Sequence, residues 1–188
     1  MVKRNACVFI SGEGSNLRNL LKRSRDYNFP VSIKLVISNN PKAKGVNFTK
    51  KYSIPYFIVN TKVRNFENII LAYLKRYKIN IICLAGYMRI ISKKFLRSFG
   101  KSVINIHPSL LPKFKGLNTF KRIIEKKETK SGCTVHYVND KLDGGKVITQ
   151  KSFYLESNSS ELDLKKKTQK LEYLAYAEAI VKIFRSNF

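Results

Sequence analysis

Short apolar segments alternate with helical patterns along the first hundred residues. Each apolar segment is followed by a stretch in which apolar residues recur at the spacing of one helix face. The predicted strand and helix pairs are Cys7 to Ser11 with Leu17 to Arg25, Ile33 to Ser38 with Ala43 to Tyr52, Tyr56 to Val59 with Asn65 to Tyr77, and Ile79 to Ala85 with Lys93 to Phe99. Strands that alternate with helices in this way are typical of βαβ units and a parallel sheet.

The pattern changes after Gly100. A short strand is predicted from Val103 to Ile106, followed by a proline-bounded turn and a helix from about Thr119 to Lys127. Two further strand-like runs, Cys133 to Val138 and Lys146 to Leu155, are separated by residues typical of turns. This part of the sequence therefore predicts two strands joined by a long loop.

A final helix is predicted to begin at Ser159-Ser160-Glu161, where a serine can cap it and Asp163 complements the helix dipole. Its apolar stripe consists of Leu171, Leu174, Ala175, Ile180, Val181 and Phe184. The chain contains no internal repeat and no low-complexity linker. We therefore expect a single α/β domain over residues 1–188, Rossmann-like, with a mostly parallel central sheet flanked by helices, an antiparallel C-terminal strand region and a final helix.

The chain is strongly basic, with 37 Lys and Arg against 12 Asp and Glu and a formal net charge of +25. Such a charge raises the question of a polyanionic partner such as nucleic acid. The basic residues are scattered, however, and the densest run is Lys165, Lys166, Lys167 and Lys170. Because Trp is absent and Lys, Asn and Ile are abundant, we favour a solvated surface enriched in lysine by coding bias, and we expect no specific nucleic acid partner.

The cysteines and the N-terminus indicate the compartment. Cys7, Cys83 and Cys133 are widely spaced and each lies in an apolar run, which favours buried thiols in a reducing environment. The apolar stretch from Ala6 to Ile10 is too short for a signal peptide, and no run approaches the roughly 20 residues of a membrane span. We expect a soluble cytoplasmic protein without a membrane partner.

A glycine-rich loop, Ser11-Gly12-Glu13-Gly14-Ser15-Asn16-Leu17, connects the first strand to the first helix. Its glycines allow a tight turn, and the free amides at the helix start are suited to binding a phosphate. The loop lacks the third glycine of a dinucleotide fingerprint and the lysine of a Walker A motif. A plain connection between strand and helix is the alternative.

Asn105, His107 and Asp143, called the polar trio below, are the strongest candidates for chemistry. Asn105 and His107 are two positions apart at the end of a strand, so they project to the same side, where open α/β sheets bind ligands. An amide, an imidazole and a carboxylate can stabilise an oxyanion and move a proton, which predicts acyl transfer if the fold brings them together. Alternatively, His107 caps a turn or packs in the core, and Asp143 bonds its own backbone.

Other polar residues favour structural roles. His136 lies in a strand-like run and is predicted to be packed and hydrogen-bonded. Two histidines without an adjacent acidic cluster argue against a catalytic metal, and we expect none. Ser109 has no evident base besides His107 and no nucleophile elbow, so a serine hydrolase is unsupported. Arg89, just beyond a strand, is typical of a surface residue.

Four segments form a combination that is far more specific than any one of them. They are Ser11 to Leu17; Leu84-Ala85-Gly86-Tyr87-Met88-Arg89-Ile90-Ile91-Ser92; Ile104-Asn105-Ile106-His107-Pro108-Ser109-Leu110-Leu111-Pro112; and Gly132-Cys133-Thr134-Val135-His136-Tyr137-Val138 with Leu142-Asp143-Gly144-Gly145. In order and spacing they resemble phosphoribosylglycinamide formyltransferase, a folate-dependent family of purine synthesis. The resemblance implies transfer of a formyl group from 10-formyltetrahydrofolate to the primary amine of glycinamide ribonucleotide, giving formylglycinamide ribonucleotide and tetrahydrofolate without a metal.

The resemblance also implies catalytic roles for the polar trio. His107 would be the general acid, Asn105 would hold the formyl oxygen, and Asp143 would keep His107 suitably charged and oriented. These roles suit the reaction, because amine attack produces a negative oxygen and the departing folate nitrogen must be protonated. A nearby negative charge raises the pKa of a histidine.

The binding residues are implied in the same way. The substrate phosphate would bind the amides of Gly14, Ser15 and Asn16, and Glu172 would face the ribose or amine side of the substrate. Residues implied to bind the folate are Arg64, Met88, Arg89, Ile90, Ile91 and Asn105, together with the loop from Val138 to Asp143. Apolar walls rich in backbone groups suit a flat pterin, and Arg64 could meet the glutamate tail.

Three alternatives differ in substrate. Methionyl-tRNA formyltransferase shares the formyl donor and the polar trio, and the net charge favours a nucleic acid substrate, but we expect no additional C-terminal tRNA domain and its loop usually differs from Gly12 to Asn16. A formyltetrahydrofolate hydrolase would need an N-terminal regulatory domain. A basic RNA-binding α/β module would need aromatic and basic residues on an exposed strand face, and these strands are too apolar. Either a monomer or a homodimer fits the sequence.

Overall fold

A computed structural model describes residues 2–156 and 158–185 of the chain. The strands are β1 Arg4–Ile10, β2 Val31–Ser38, β3 Tyr56–Ile58, β4 Ile81–Leu84, β5 Ser102–His107, β6 Lys130–Tyr137 and β7 Val147–Tyr154. The helices are α1 Ser15–Arg23, α2 Val46–Lys51, α3 Phe66–Arg76, α4 Lys93–Phe99, α5 Thr119–Glu125 and α6 Glu161–Arg185. Every predicted element is present, and the predicted ends lie within three residues of the observed ones.

The chain packs as two compact units, an N-terminal unit Met1–Ile104 and a C-terminal unit Asn105–Phe188. In the N-terminal unit, β1 pairs in parallel with β2 and with β4, and β2 pairs in parallel with β3. The last five residues of β1 and all of β4 are buried. Parallel strands covered on both faces are expected to form continuous apolar runs, as these do.

In the C-terminal unit, β6 and β7 form an antiparallel pair, and α6 packs against both strands. The helix buries Ala175, Tyr176, Ala179 and Ile180. The predicted apolar stripe was wrong at Leu174, which is 49% exposed. Tyr176 and small alanines, Ala175, Ala177 and Ala179, form much of the buried face, and a pattern of large apolar residues does not reveal such positions.

Hydrogen bonding places all seven strands in one sheet, in the order β3-β2-β1-β4-β5-β6-β7. The predicted α/β fold, with a mostly parallel sheet, an antiparallel C-terminal region and a final helix, is confirmed. The single domain over residues 1–188 stays a prediction. Within the two described ranges, no helix has the length and apolar character needed to cross a membrane.

Candidate active site

The C-terminal unit brings the polar trio together. Asp143 Oδ2 lies 3.3 Å from His107 Nδ1, and Asp143 Oδ1 lies 3.5 Å from Asn105 Nδ2. The His107 and Asp143 side chains are only 7% and 8% exposed. An amide, an imidazole and a carboxylate therefore meet where little water reaches them, which strengthens their electrostatic interactions.

The turn that holds Asp143 has a specific backbone conformation. Asp143 has a φ of 45°, in the left-handed region that Asp tolerates better than most residues. A side chain at Gly145 would come within 1.7 Å of the Tyr137 carbonyl oxygen, so only glycine fits there. The Asp143 carboxylate accepts a hydrogen bond from the Gly116 amide at 2.9 Å. Asp143 therefore contacts Gly116, His107 and Asn105, which lie in distant segments of the chain. An ordinary turn aspartate bonds only its own neighbouring backbone.

A backbone carbonyl determines how His107 is protonated. His107 Nε2 lies 2.8 Å from the Phe114 carbonyl oxygen, and since a carbonyl can only accept, Nε2 must donate. In a neutral ring the unprotonated nitrogen is then Nδ1, the atom that faces Asp143. Arg122 stabilises this segment by donating to the Lys115 carbonyl oxygen at 2.6 Å. His107 Nδ1 is therefore the atom able to take up and release a proton.

Burial and hydrogen bonding act in opposite directions on the two titratable groups of the trio. Burial lowers the pKa of His107 below 6.5. It outweighs the hydrogen bond to the Phe114 carbonyl and the Asp143 charge, both of which raise this pKa. For Asp143 burial raises the pKa, but the adjacent His136 side chain, the hydrogen bond from the Gly116 amide and the charge on His107 outweigh burial and hold the pKa below 3.8. At neutral pH we expect an ionised Asp143 beside a neutral His107.

His136 joins the polar trio, which the sequence did not predict. Its Nε2 lies 3.3 Å from Asn105 Nδ2 and 3.6 Å from Asp143 Oδ1, and its Nδ1 lies 2.8 Å from the Tyr137 carbonyl oxygen. The side chain is buried and hydrogen-bonded, as predicted. The signal that could have found it is its place inside one of the four segments that resemble the family.

The segment after β5 is held by β6 and β7. Thr134 donates to the Ser109 carbonyl oxygen at 2.6 Å and accepts from the Leu111 amide at 3.0 Å, and Gln150 donates to both Thr134 and the Leu111 carbonyl oxygen. The Ser109 hydroxyl is buried and donates to the Lys113 carbonyl oxygen. This hydroxyl holds its own turn, so nothing favours it as a nucleophile.

In the N-terminal unit, the glycine-rich loop makes a close approach to a second backbone segment. Gly14 has a φ of 73° and caps α1, and a side chain there would come within 2.5 Å of Gly45 Cα. The Gly45 amide donates to the Gly12 carbonyl oxygen. Ser15 and Asn16 begin α1, where the first backbone amides have no partner within the helix. A helix start without acidic residues in its first turn suits an anion.

The strip Met88 to Ile91 lies beyond β4 in the same unit. Met88 and Ile90 are 69% and 76% exposed, which is high for large apolar side chains. Ser11 connects the strip to the glycine-rich loop, because its hydroxyl accepts from the Met88 amide at 2.8 Å and its amide donates to the Gly86 carbonyl oxygen. Both predicted binding segments therefore meet at the carboxyl ends of β1 and β4, as expected for an open α/β sheet.

The predicted charged binding residues occupy different environments. Arg89 donates to the Thr61 hydroxyl at 3.2 Å and lies over the Phe66 ring, so protein contacts already hold its guanidinium. Arg64 is exposed just before α3. Glu172 is half-buried on α6, and its charge adds to burial in raising the pKa of Cys133 to about 12. The roles of these residues stay predictions.

The fold and the polar trio with His136 indicate an acyl-transfer enzyme, and comparison with known proteins identifies its family. The sequence profile of the formyl transferase family matches residues 4–180, and the chain belongs to this family. It is an enzyme of the folate-dependent formyltransferase class.

Named relatives make the resemblance more specific. Phosphoribosylglycinamide formyltransferase of Haemophilus influenzae is 37% identical over 179 residues, which cover 92% of this chain and 84% of that protein. The human trifunctional purine biosynthetic protein adenosine-3 is 35% identical over 182 residues, covering 95% of this chain but only 18% of that protein. The crystal structure of phosphoribosylglycinamide formyltransferase from Anaplasma phagocytophilum has a TM-score of 0.92 at 35% identity, covering 98% of this chain and 88% of that one. The predicted resemblance is confirmed over the tRNA formyltransferase and RNA-binding alternatives.

Proposed function

We propose that this chain transfers the formyl group of 10-formyltetrahydrofolate to the primary amine of glycinamide ribonucleotide in purine biosynthesis. The products are formylglycinamide ribonucleotide and tetrahydrofolate. The observation that carries the proposal is the buried contact of His107 and Asp143 beside Asn105, in a chain that belongs to the formyl transferase family. This geometry supports formyl transfer, and the similarity to phosphoribosylglycinamide formyltransferases supports the choice of the two substrates.

The amine attacks the formyl carbon and forms a tetrahedral centre whose oxygen is negative. Asn105 donates a hydrogen bond to this oxygen. His107 Nδ1 takes the proton that the amine loses and gives it to the folate nitrogen N10, whose bond to the formyl carbon then breaks. Asp143, ionised and 3.3 Å from Nδ1, stabilises the imidazolium between the two transfers. One proton leaves the amine and one reaches N10, so no further reactant is needed.

The substrates bind at the predicted segments. The amides of Gly14, Ser15 and Asn16 hold the substrate phosphate, which the positive end of the α1 dipole favours. Glu172 faces the ribose or amine side. For the folate pterin we assign the strip Met88 to Ile91, where Met88 and Ile90 are exposed apolar side chains, and, in the C-terminal unit, the loop from Val138 to Asp143.

The remaining expectations belong to the same proposal. Residues 1–188 act as one formyltransferase domain in the cytoplasm, as a monomer or a homodimer, with no metal, membrane or specific nucleic acid partner. Cys7, Cys83 and Cys133 are buried and form no disulfide, which suits a reducing compartment. The pKa of Cys7 is well above 9.0 because of burial, so it is not a reactive thiol.

One assay tests the substrate. Purified protein receives 10-formyltetrahydrofolate with glycinamide ribonucleotide or with methionyl-tRNA, and the release of tetrahydrofolate is followed. We expect release only with glycinamide ribonucleotide. Activity with the tRNA alone, or with neither acceptor, would overturn the proposal.

A further inference from the structure

His136 contacts the polar trio, yet the mechanism above gives it no part. Its ring is 2% exposed on β6, and its Nδ1 lies 2.8 Å from the Tyr137 carbonyl oxygen. Because that oxygen can only accept, Nδ1 must carry a proton. In the neutral ring Nε2 is then an acceptor, and it faces the side-chain amide of Asn105 at 3.3 Å. Asp143 Oδ1 lies 3.6 Å from the same nitrogen, which is too far for a hydrogen bond.

This arrangement determines which end of the Asn105 amide faces the cluster. Asn105 Nδ2 has two neighbours, His136 Nε2 at 3.3 Å and Asp143 Oδ1 at 3.5 Å. Both are acceptors, so an amide turned by half a rotation would set its oxygen against a lone pair and a carboxylate. The NH₂ group is therefore held on this side. One hydrogen goes to His136, and the other makes only the longer contact with Asp143, at the limit of hydrogen-bond distance.

We propose that His136 is a positioning residue for Asn105: by accepting one amide hydrogen at Nε2, it directs the second hydrogen to the formyl oxygen. The inference rests on the proposed formyl transfer. The oxygen is negative only in the tetrahedral state, so a correctly aimed hydrogen stabilises that state more than the bound substrate. Loss of His136 should therefore lower kcat and leave KM for both substrates nearly unchanged.

Two substitutions distinguish the effect of losing the acceptor at His136 from the effect of changing the side-chain volume. In His136→Gln the side-chain oxygen can replace Nε2 as acceptor, whereas His136→Leu keeps the volume without an acceptor. We expect kcat to fall on the order of 10–100-fold in the leucine variant, less than the roughly 10²–10³-fold loss that follows removal of an oxyanion donor itself. The glutamine variant should recover most of this loss. Equal losses in the two variants would overturn the inference.

A double-mutant cycle with Asn105→Ala tests whether His136 acts through Asn105. Once the amide is gone, His136→Leu should lower kcat by no more than about twofold, because contacting residues that act together are not additive. The same fold-loss in both backgrounds would mean a general packing role and would refute the inference. Ser131→Ala is the matched control on β6: this buried hydroxyl has no hydrogen-bond partner among the described residues, so the change should leave kcat unaltered.

A measurement without turnover keeps this inference separate from the proposed function. Nitrogen-15 NMR of the labelled protein at pH 8 should show His136 protonated at Nδ1, and His136→Leu should shift the side-chain amide signals of Asn105. A ring protonated at Nε2 would refute the positioning role even in an active enzyme. An inactive wild-type protein with the expected NMR signals would instead refute the proposed reaction.

Discussion

At the residue scale, the proton chemistry depends on which nitrogen of His107 is protonated at rest. The Phe114 carbonyl assigns that proton to Nε2, so Nδ1 is left to exchange protons beside Asp143. A histidine with a pKa far above neutrality would already be protonated and could not accept the amine proton. Burial prevents this, because it lowers the pKa of His107 despite the adjacent carboxylate.

The first prediction concerns this pKa. In an NMR titration of the free protein, the C–H signal of His107 should titrate below pH 6.5, since burial disfavours the charged ring. Asp143→Asn removes the charge that acts upward, so the pKa of His107 should fall further. The His136→Gln variant assigns the two histidine signals. A titration above pH 6.5, or an upward movement in the Asp143→Asn variant, would contradict the assigned electrostatics.

The second prediction concerns turnover. His107→Ala should lower kcat on the order of 10²–10⁴-fold, the usual contribution of general acid–base catalysis. Asp143→Asn should lose most of the turnover as well, because an amide cannot stabilise the imidazolium. Folate binding, measured by calorimetry, should largely survive in both variants. If either variant keeps its wild-type kcat, the role assigned to that residue is wrong.

The sequence predicted the polar trio but not the groups that control it. Spacing showed that Asn105 and His107 project from one side of a strand end, which is a local property. The contacts of His136 and of the Phe114 carbonyl depend on how β6 and the turn after β5 pack, and no local pattern reports that. The net direction of the His107 pKa likewise needs the burial of the site, which a sequence does not contain.

At the element scale, the start of α2 depends on a contact with the glycine-rich loop. Sequence periodicity predicted a helix from Ala43, but α2 begins at Val46. The approach of Gly45 to Gly14 explains the later start, because these residues first make a turn against the glycine-rich loop. Such a contact between distant glycines is tertiary, so the strand and helix pattern could not predict it.

The third prediction tests this contact. Gly14→Ala adds a carbon 2.5 Å from Gly45 Cα at a φ of 73°, and this overlap should lower the free energy of unfolding by about 1–3 kcal/mol beyond the conformational cost. Gly86→Ala is the matched control, with a φ of 72° and nothing within 4 Å of the added carbon. It should show only the conformational cost, roughly 1–2 kcal/mol. Urea unfolding measures both, and equal losses would mean that the approach of Gly45 contributes nothing.

The fourth prediction tests the turn that follows β5. Thr134→Val removes the partner of two buried backbone groups, the Ser109 carbonyl and the Leu111 amide, and each orphaned group should cost about 1–3 kcal/mol of unfolding free energy. Thr168→Val is the control, since that buried hydroxyl has no hydrogen-bond partner among the described residues. Its removal should be neutral or stabilising. Similar losses in both variants would show that the Thr134 hydrogen bonds are not what holds the turn.

At the scale of the whole molecule, the charge is unevenly distributed. Residues 1–104 contain 21 Lys and Arg against three Asp and Glu, so they contribute +18 of the net +25. The C-terminal unit also pairs several of its acids with lysines, such as Glu178 with Lys151 and Lys182. The sequence predicted the total charge but favoured coding bias as its origin. Steering of anionic substrates is a physical alternative, and the two explanations differ in their dependence on salt.

The fifth prediction follows from that difference. If the charge steers the substrate phosphate and the folate carboxylates, kcat/KM should fall severalfold as ionic strength rises from about 0.01 to 0.15 M, because the screening length shrinks from about 30 to 8 Å. The value of kcat should not change, since bound substrates no longer depend on approach. Lys75→Gln with Lys78→Gln, on the surface near the end of α3, should reduce the salt dependence without altering kcat. A kcat/KM that is independent of salt would leave coding bias as the sole explanation of the charge.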